Sequence, residues 1–171
     1  MGKIITESGA NFGEFAEKDL FHIEKSPIVE SLGTGIKRVE FIVRSKSDII
    51  FVEVKTGCLN PNSPDKGENF DQFYDDIADK FIDSLNVYAA TVLGRYNGND
   101  DVGANLKSVI PLKDKKIKFV LVVTASDFLE DWLQSPKLEL ETRLRKVRKI
   151  WGINIIVLNR NMAEKYGLIY N

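Results

Sequence analysis

The sequence contains one cysteine, Cys58, and one histidine, His22, in 171 residues. One cysteine cannot form an internal disulfide, so we expect a reducing, intracellular compartment, namely the cytoplasm. One histidine excludes zinc sites built from several histidines and argues against a histidine-based catalytic triad.

An excess of charge of either sign is also missing, because 24 Lys and Arg residues face 25 Asp and Glu residues. Proteins that coat nucleic acid without specificity are usually more basic, so binding to nucleic acid requires a local basic patch. The longest uninterrupted apolar run, residues 119–123, is far shorter than the roughly 20 residues of a membrane helix. We therefore expect no membrane partner.

The spacing of the apolar residues predicts an α/β fold, of the α+β mixed-sheet kind. Intervals of three and four residues predict helices, which cover residues 11–25, 70–93 and 138–150. Runs of β-branched and aromatic residues predict strands, which cover residues 28–32, 37–44, 49–56, 117–124 and 153–158. A loop at 57–68 and a turn at Asn97-Gly98 connect these elements. Hairpin links make the first three strands antiparallel, whereas helical crossovers predict parallel pairing for the later ones.

The hairpin of the second and third predicted strands carries the informative polar residues. With a turn at Lys46-Ser47, residues that face each other across this hairpin have numbers that sum to 93. Glu40 then lies directly opposite Glu53, and Lys55 shares their face because side chains alternate along a strand. The sequence therefore predicts a cluster of two carboxylates and one ammonium group.

The surroundings of this cluster are apolar. Ile49 and Phe51 share the face of Glu53, and the opposite face of the same strand is apolar too. Charges that emerge from a buried strand are costly unless they are paired or bind a metal, and two facing carboxylates repel each other. A divalent cation would relieve that repulsion, so the pattern favours a functional site over a solvated strand face.

The segment 51–56, with the sequence FVEVKT, resembles the third-strand motif of the PD-(D/E)xK nuclease superfamily, which has the restriction-endonuclease-like fold. In that family an acidic residue on the second strand, Glu40 here, precedes a Glu-x-Lys at the end of the third. The resemblance covers residues 11–124 and implies a core of helix, three antiparallel strands, helix and strand. A further helix and strand at about 135–171 would complete a single domain.

The resemblance implies hydrolysis of nucleic-acid phosphodiester bonds that depends on Mg²⁺, with Mn²⁺ as a substitute. Glu40, Glu53 and the backbone carbonyl of Val54 would bind the metal, and Lys55 would orient or help deprotonate the attacking water. The expectation is a DNA endonuclease, with DNA preferred to RNA as substrate and a homodimer as assembly. Most members have aspartate at the position of Glu40.

Many members also carry a glutamate on the first helix, four residues after a glycine. Gly13 and Glu17 match that spacing, which makes Glu17 a candidate catalytic residue. An ordinary surface glutamate would give the same pattern, and Asp19 is a rival candidate.

The long predicted helix offers two candidates for contacts with nucleic acid, Gln72 and Lys80. Some relatives have an assisting glutamine near the position of Gln72, and a surface glutamine is the alternative. Lys80 could reach a phosphate, or it could pair with an aspartate of its own helix, Asp76 or Asp83.

Two further candidates, Arg143 and Arg145, belong to a basic run at 143–149. This run could contact a nucleic-acid backbone, but basic residues are equally typical of the last turns of a helix.

Two other functions remain open. One is a catalytically inactive relative that binds nucleic acid or a protein partner, which the near-neutral charge and the glutamate at position 40 favour. The other is a structural domain in which Glu40, Glu53 and Lys55 form a plain ion-pair cluster. Neither requires a response to Mg²⁺, whereas a nuclease site does.

Overall fold

The computed structural model describes residues 2–63, 67–96, 100–107 and 114–170. The strands are β1 (Gly2–Glu7), β2 (Ala10–Ala16), β3 (Leu20–Phe21), β4 (Phe41–Arg44), β5 (Asp48–Lys55), β6 (Lys116–Val123) and β7 (Asn154–Asn159). The α-helices are α1 (Pro27–Ser31), α2 (Phe70–Val92), α3 (Gln134–Arg143), α4 (Arg145–Trp151) and α5 (Arg160–Lys165).

The main sheet has five strands in the order β3-β4-β5-β6-β7, and β1 and β2 form a separate hairpin. β3, β4 and β5 pair antiparallel, whereas β5, β6 and β7 pair parallel. The long helix α2 lies in the connection from β5 to β6, as parallel pairing of successive strands requires. The predicted α/β fold with a mixed sheet is therefore confirmed.

β5 is the central strand, and its two faces belong to two different hydrophobic cores. Ile49 and Phe51 pack on the side of α2, where Phe81 stacks on Phe119 with ring centroids 4.6 Å apart. Val52 points the other way, to a core formed with the β1–β2 hairpin. By this alternation Glu53 and Lys55 lie on the face that packs on α2, and Asp48 lies on the opposite face.

The predicted helix at residues 11–25 is wrong. The segment contains most of β2, a 3₁₀ turn at Glu17–Asp19, the short strand β3 and a second 3₁₀ turn at Ile23–Lys25. The restriction-endonuclease-like order implied by the resemblance therefore lacks its first helix, and a β-hairpin occupies that part of the chain.

A β-bulge explains why this segment resembles a helix in sequence. Phe12 and Phe15 are both buried, and their spacing of three residues matches a helical interval. In the hairpin, Gly13 and Glu14 together lie opposite Ile4, so one extra residue separates the two aromatic side chains. Both rings therefore reach the same core from a strand.

The predicted strand at residues 28–32 is also wrong, because α1 lies there. The hydroxyl of Ser26 accepts a hydrogen bond from the Ile28 N–H at 3.2 Å, and Pro27 occupies the first helical position. This combination of cap and proline starts a helix although the residues that follow are β-branched.

The remaining elements follow the prediction more closely. The helix at 70–93 and the last three predicted strands are confirmed within two residues at their ends. The strand at 37–44 is shortened to β4, and the helix at 138–150 is replaced by α3 and α4, which meet at Leu144. α5 was not predicted.

Two predicted features lie partly or wholly outside the described residues. They are the turn at Asn97-Gly98 and positions 64–66 of the loop at 57–68. Within the described ranges, no helix has both the length and the apolar character needed to cross a membrane.

Neighbouring residues of β1 test whether one face of the hairpin packs on the sheet. Ile5 is 3% exposed and Ile4 is 43% exposed. We expect Ile5→Ala to lower the free energy of unfolding by about 2–5 kcal/mol, because a buried methyl-rich side chain leaves a cavity. Ile4→Ala, the control, changes it by less than about 1 kcal/mol. Equal losses in urea unfolding would contradict this packing.

Candidate active site

The β4–β5 hairpin has the predicted register. Its paired residues, from Phe41 and Val52 to Arg44 and Ile49, have numbers that sum to 93. Glu40 directly precedes β4, and its N–H donates to the Val52 carbonyl at 3.0 Å. Glu40 therefore lies beside the carboxyl end of β5. The described ladder ends at Phe41 and Val52, so it does not include the predicted pairing of Glu40 with Glu53.

Side chains of α2 hold the segment that leads into β4. The Lys37 N–H donates to Asp83 Oδ2 at 2.9 Å, and the Val39 N–H donates to Ser84 Oγ at 2.9 Å. These two bonds fix the backbone immediately before Glu40. The position of the Glu40 carboxylate is thus set by both β5 and α2.

Lys80 extends from α2 to the two predicted carboxylates. Its Nζ lies 2.7 Å from Glu53 Oε1 and 3.9 Å from Glu40 Oε1. Lys55 Nζ lies 3.1 Å from the same Glu53 oxygen. Among the described residues, Lys80 therefore pairs with these glutamates rather than with the aspartates of its own helix. The structure brings Glu40, Glu53 and Lys55 together and adds Lys80.

The two glutamates are almost completely withdrawn from water. Glu53 is 0% exposed and Glu40 is 5% exposed, and no described residue donates a hydrogen bond to the Oε2 atom of either one. Burial, with the charges of Glu53 and Glu24, raises the pKa of Glu40 to about 8. Burial also raises the pKa of Glu53, although Lys80 and Lys55 oppose this shift. Each carboxylate therefore has an oxygen suited to a proton or a cation.

Sequence reasoning missed two further carboxylates of this cluster, Glu7 and Glu24. Carboxylate oxygens of Glu7, Glu24 and Glu40 all lie within 4.8 Å of one another. Glu24 belongs to the 3₁₀ turn at Ile23–Lys25, and its N–H donates to the Glu40 carbonyl at 3.4 Å. The wrong helix at 11–25 concealed Glu24, because only an extended β3 brings this turn beside Glu40.

Glu7 reaches the cluster because the turn of the β1–β2 hairpin lies at the carboxyl edge of the main sheet. The Thr124 hydroxyl, just after β6, donates to the Ser8 carbonyl at 2.8 Å. The Thr124 N–H donates to the Lys55 carbonyl at 2.9 Å. No sequence signal connected Glu7 to residues so distant in the chain.

The Val54 carbonyl faces the same side of β5 as Glu40. The Val52 carbonyl accepts from Glu40 on the β4 side, whereas the Lys55 carbonyl accepts from Thr124 on the β6 side. Alternate carbonyls of a strand point the same way, so that of Val54 points past the end of β4. The metal-binding role of the Val54 carbonyl stays a prediction.

The charges of this cluster do not balance. Glu7, Glu24, Glu40 and Glu53 bring four negative charges when ionised, and Lys55 and Lys80 bring two positive charges. The remainder of two negative charges equals the charge of one divalent cation, and protons on two carboxyl groups would cancel it equally well. The arrangement can therefore bind a hard cation, hold protons, or do each in turn.

Glu17 lies in the 3₁₀ turn that follows β2, and it is exposed. It lines a cleft of about 370 Å³ together with Lys3 and His22, and it is not one of the carboxylates grouped around Glu40. The rival Asp19 pairs with Arg44 at 3.1 Å. Because the first helix is absent, the family pattern that suggested Glu17 has lost its structural basis.

The weaker candidates for nucleic-acid contacts lie on the surface of α2, α3 and α4. Gln72 is exposed and donates to Asp76 Oδ1 at 2.7 Å. Arg143 joins α3 to α2 through ion pairs with two carboxylates of α2, those of Asp71 and Asp75, and it also pairs with Glu139 of its own helix. Arg145 is exposed on α4. These ion pairs account for Arg143 as a structural contact, and its role toward nucleic acid stays a prediction.

The raised pKa of Glu40 predicts a stability that depends on pH. The folded protein holds this proton up to pH about 8, whereas the unfolded chain releases it near 4.5. Without divalent cations, the free energy of unfolding should therefore fall as the pH rises from about 4.5 to 8. The slope should be up to about 1.4 kcal/mol per pH unit.

Urea unfolding in EDTA at several pH values measures this slope. Glu40→Gln should flatten it, because glutamine does not titrate, and Glu30→Gln on the exposed surface of α1 should leave it unchanged. An identical slope in the wild type and in Glu40→Gln would contradict the assignment.

Comparison of the chain with protein-family models, with curated proteins and with solved structures finds no match. The geometry and chemistry of the residues at the carboxyl edge of the sheet are therefore the basis for a functional conclusion.

Proposed function

We propose that the protein hydrolyses phosphodiester bonds of nucleic acid, with DNA as the preferred substrate, in a reaction that requires Mg²⁺. One observation carries this proposal. Two nearly inaccessible glutamates, Glu40 and Glu53, lie side by side with an Oε2 atom each that no described residue satisfies. Lys80 and Lys55 contact the Oε1 atoms, so a further positive charge at the two Oε2 atoms would stabilise this pair of buried carboxylates.

The donor set fits Mg²⁺. Glu40 and Glu53 offer carboxylate oxygens and Val54 offers a backbone carbonyl oxygen, which are the ligand types that hard divalent cations prefer. When bound, Mg²⁺ would polarise a phosphate oxygen and lower the pKa of a water molecule. Mn²⁺ has similar ligand preferences and would substitute for it.

Lys55 has the geometry of the residue that acts on the substrate. Its ammonium group contacts Glu53 Oε1 at 3.1 Å, and its side chain is 31% exposed. It can therefore keep this contact while it donates a hydrogen bond to a phosphate oxygen or to the attacking water. A positive charge at this point offsets the negative charge that develops on the phosphate in the transition state.

Lys80 has a different part in the proposal. It contacts Glu53 from inside the protein, at 2.7 Å, and its side chain is 24% exposed. It holds the Glu53 carboxylate in one orientation and reduces the repulsion between Glu53 and Glu40. Lys80 is therefore a positioning residue rather than a phosphate contact.

The order of the elements supports the proposal as well. An antiparallel hairpin, β4–β5, is followed by the long helix α2 and by β6, which pairs parallel to β5. This is the order that the resemblance to the PD-(D/E)xK superfamily implies for its second and third strands, second helix and fourth strand. The resemblance would assign the active site to the carboxylates and Lys55.

One observation favours the alternative, a catalytically inactive domain that binds nucleic acid or a protein partner. Lys80 and Lys55 already place two positive charges on Glu53 Oε1. An ion-pair cluster could therefore stabilise this part of the fold without any metal. The two functions differ in their response to divalent cations.

The proposed reaction predicts that Lys55→Ala loses cleavage. Supercoiled plasmid, linear duplex, single-stranded DNA and RNA are each incubated with Mg²⁺, with Mn²⁺ or with EDTA. We expect cleavage with either metal and none with EDTA, and we expect Lys55→Ala to slow it by at least about 100-fold. Glu53→Gln should abolish it.

Asp48→Asn is the matched control for Glu53→Gln. Asp48 is a buried carboxylate at the opposite end of β5 and pairs with Lys118 at 2.9 Å. Its substitution should lower stability but leave the rate of cleavage unchanged. Wild-type rates in Lys55→Ala or Glu53→Gln would overturn the proposed function.

Thermal unfolding distinguishes the nuclease from the inactive alternative. A cation that binds the folded protein but not the unfolded chain should raise Tm by about 5–10 °C when its free concentration is about 100 times its Kd. Glu53→Gln should reduce this increase, and Asp48→Asn should retain it. A wild-type Tm that is the same in Mg²⁺ and in EDTA would favour the ion-pair cluster.

A further inference from the structure

We infer that Glu7, Glu24 and Glu40 form a second site for a hard divalent cation, next to the one proposed at Glu53 and sharing Glu40 with it. The inference goes beyond the proposed function, because it requires only that these three side chains bind a cation. It does not require that the protein cleaves nucleic acid.

The three carboxylates come from different parts of the chain and meet at one point. Glu7 ends β1, Glu24 lies in the 3₁₀ turn after β3, and Glu40 precedes β4. Each offers an oxygen within 4.8 Å of the oxygens of the other two. Opposite ligands of a cation are about 4.0–4.2 Å apart for Mg²⁺ and about 4.6–5.2 Å apart for Ca²⁺. The observed spacing therefore falls within the range of one coordination sphere.

Glu40 supplies an observation that is independent of this clustering. It is 5% exposed, its Oε2 atom has no hydrogen-bond donor among the described residues, and its Oε1 atom is 3.9 Å from the Lys80 ammonium. A buried carboxylate without a close donor carries the full cost of losing water. Because this carboxylate points into the group formed with Glu7 and Glu24, a positive charge bound there would stabilise the group.

Among the described basic residues, Lys80 is in contact with this group, through the 3.9 Å ion pair between its ammonium and Glu40 Oε1. In the described ranges, no lysine or arginine nitrogen lies within 4.0 Å of Glu7 or Glu24. Glu7 accepts hydrogen bonds from the N–H and the hydroxyl of Ser8, at 3.2 and 3.5 Å. Lys80 lies closer to Glu53, at 2.7 Å, so its single positive charge is shared with a fourth carboxylate. When ionised, Glu7, Glu24 and Glu40 therefore carry more negative charge than Lys80 compensates.

The chemistry of the donors selects the class of cation. All three are carboxylates, and the group contains neither a thiolate nor an imidazole. Oxygen-only sites suit Mg²⁺, Mn²⁺ and Ca²⁺, whereas zinc and copper prefer sites with nitrogen or sulfur. Glu7 and Glu24 are half-buried, so a cation can enter from solvent.

A cation at this position would connect the N-terminal hairpin to the main sheet. Glu7 belongs to β1, whereas Glu24 and Glu40 lie in the segments next to β3 and β4 of the five-stranded sheet. Since the bound cation would contact both, it would stabilise the carboxyl edge where the hairpin turn meets β6.

Equilibrium dialysis with Mn²⁺, read by the electron paramagnetic resonance signal of the free ion, tests the inference. We expect the wild type to bind two Mn²⁺ per chain. Glu7→Gln and Glu24→Gln, made separately, should each raise the Kd of one Mn²⁺ at least tenfold and leave the Kd of the other unchanged. Glu30→Gln, an exposed glutamate on α1, is the control and should bind both.

Glu53→Gln separates this inference from the proposed function. This variant should bind Mn²⁺ more weakly at the site formed with Glu53, and its binding of the Mn²⁺ that depends on Glu7 and Glu24 should be unchanged. If the wild type binds a single Mn²⁺ that requires Glu7 and Glu24 but not Glu53, the inference holds and the metal of the proposed function fails. Two bound Mn²⁺ without cleavage of any nucleic acid would support the inference and overturn the proposed function.

Two results would overturn the inference. One is that Glu7→Gln and Glu24→Gln both bind as many Mn²⁺ ions as the wild type does, with the same Kd. The other is the absence of Mn²⁺ binding by the wild type. Urea unfolding of each variant in EDTA establishes that it is folded, and because two separate variants are used, the loss of one to misfolding leaves the other as the test.

Discussion

A fully buried carboxylate at the end of the central strand is the constraint on which the rest of the site depends. Glu53 follows four apolar residues of β5 and is inaccessible to water. Such a group is tolerated only where positive charge reaches it, so Lys80 must come from α2 and Lys55 from the same strand. The face of β5 on which Glu53 lies, and the position of α2 over it, are therefore linked by electrostatics as well as by packing.

The N-terminal hairpin links the second hydrophobic core to the site. Phe12 and Phe15 pack on Phe41 on the face of the sheet opposite α2, with ring centroids 5.6 and 5.3 Å from that of Phe41. This packing fixes the direction of the hairpin, and its turn then reaches the carboxyl edge, where Glu7 joins Glu40. The packing of apolar side chains thus brings Glu7 of the hairpin to the carboxyl edge of the five-stranded sheet.

Protons and cations compete for the same oxygens at this edge. A carboxylate that has lost its water without gaining a donor binds either one, and metal binding to such groups releases protons. In the proposed function, a divalent cation would therefore displace the proton that Glu40 otherwise holds up to pH about 8. Four carboxylates around two lysines form an arrangement whose net charge depends on pH.

The sequence by itself determined the local features: the β4–β5 register, the faces of β5, the long helix α2, the parallel strands that follow it, and the proximity of Glu40, Glu53 and Lys55. Alternation and turn position specify these over short stretches of chain. Only the tertiary structure decided the hairpin at the N-terminus, where a bulge gave a helical spacing to the residues of a strand. It alone brought Glu7, Glu24 and Lys80 to the site, because contacts between distant segments depend on how the whole core packs.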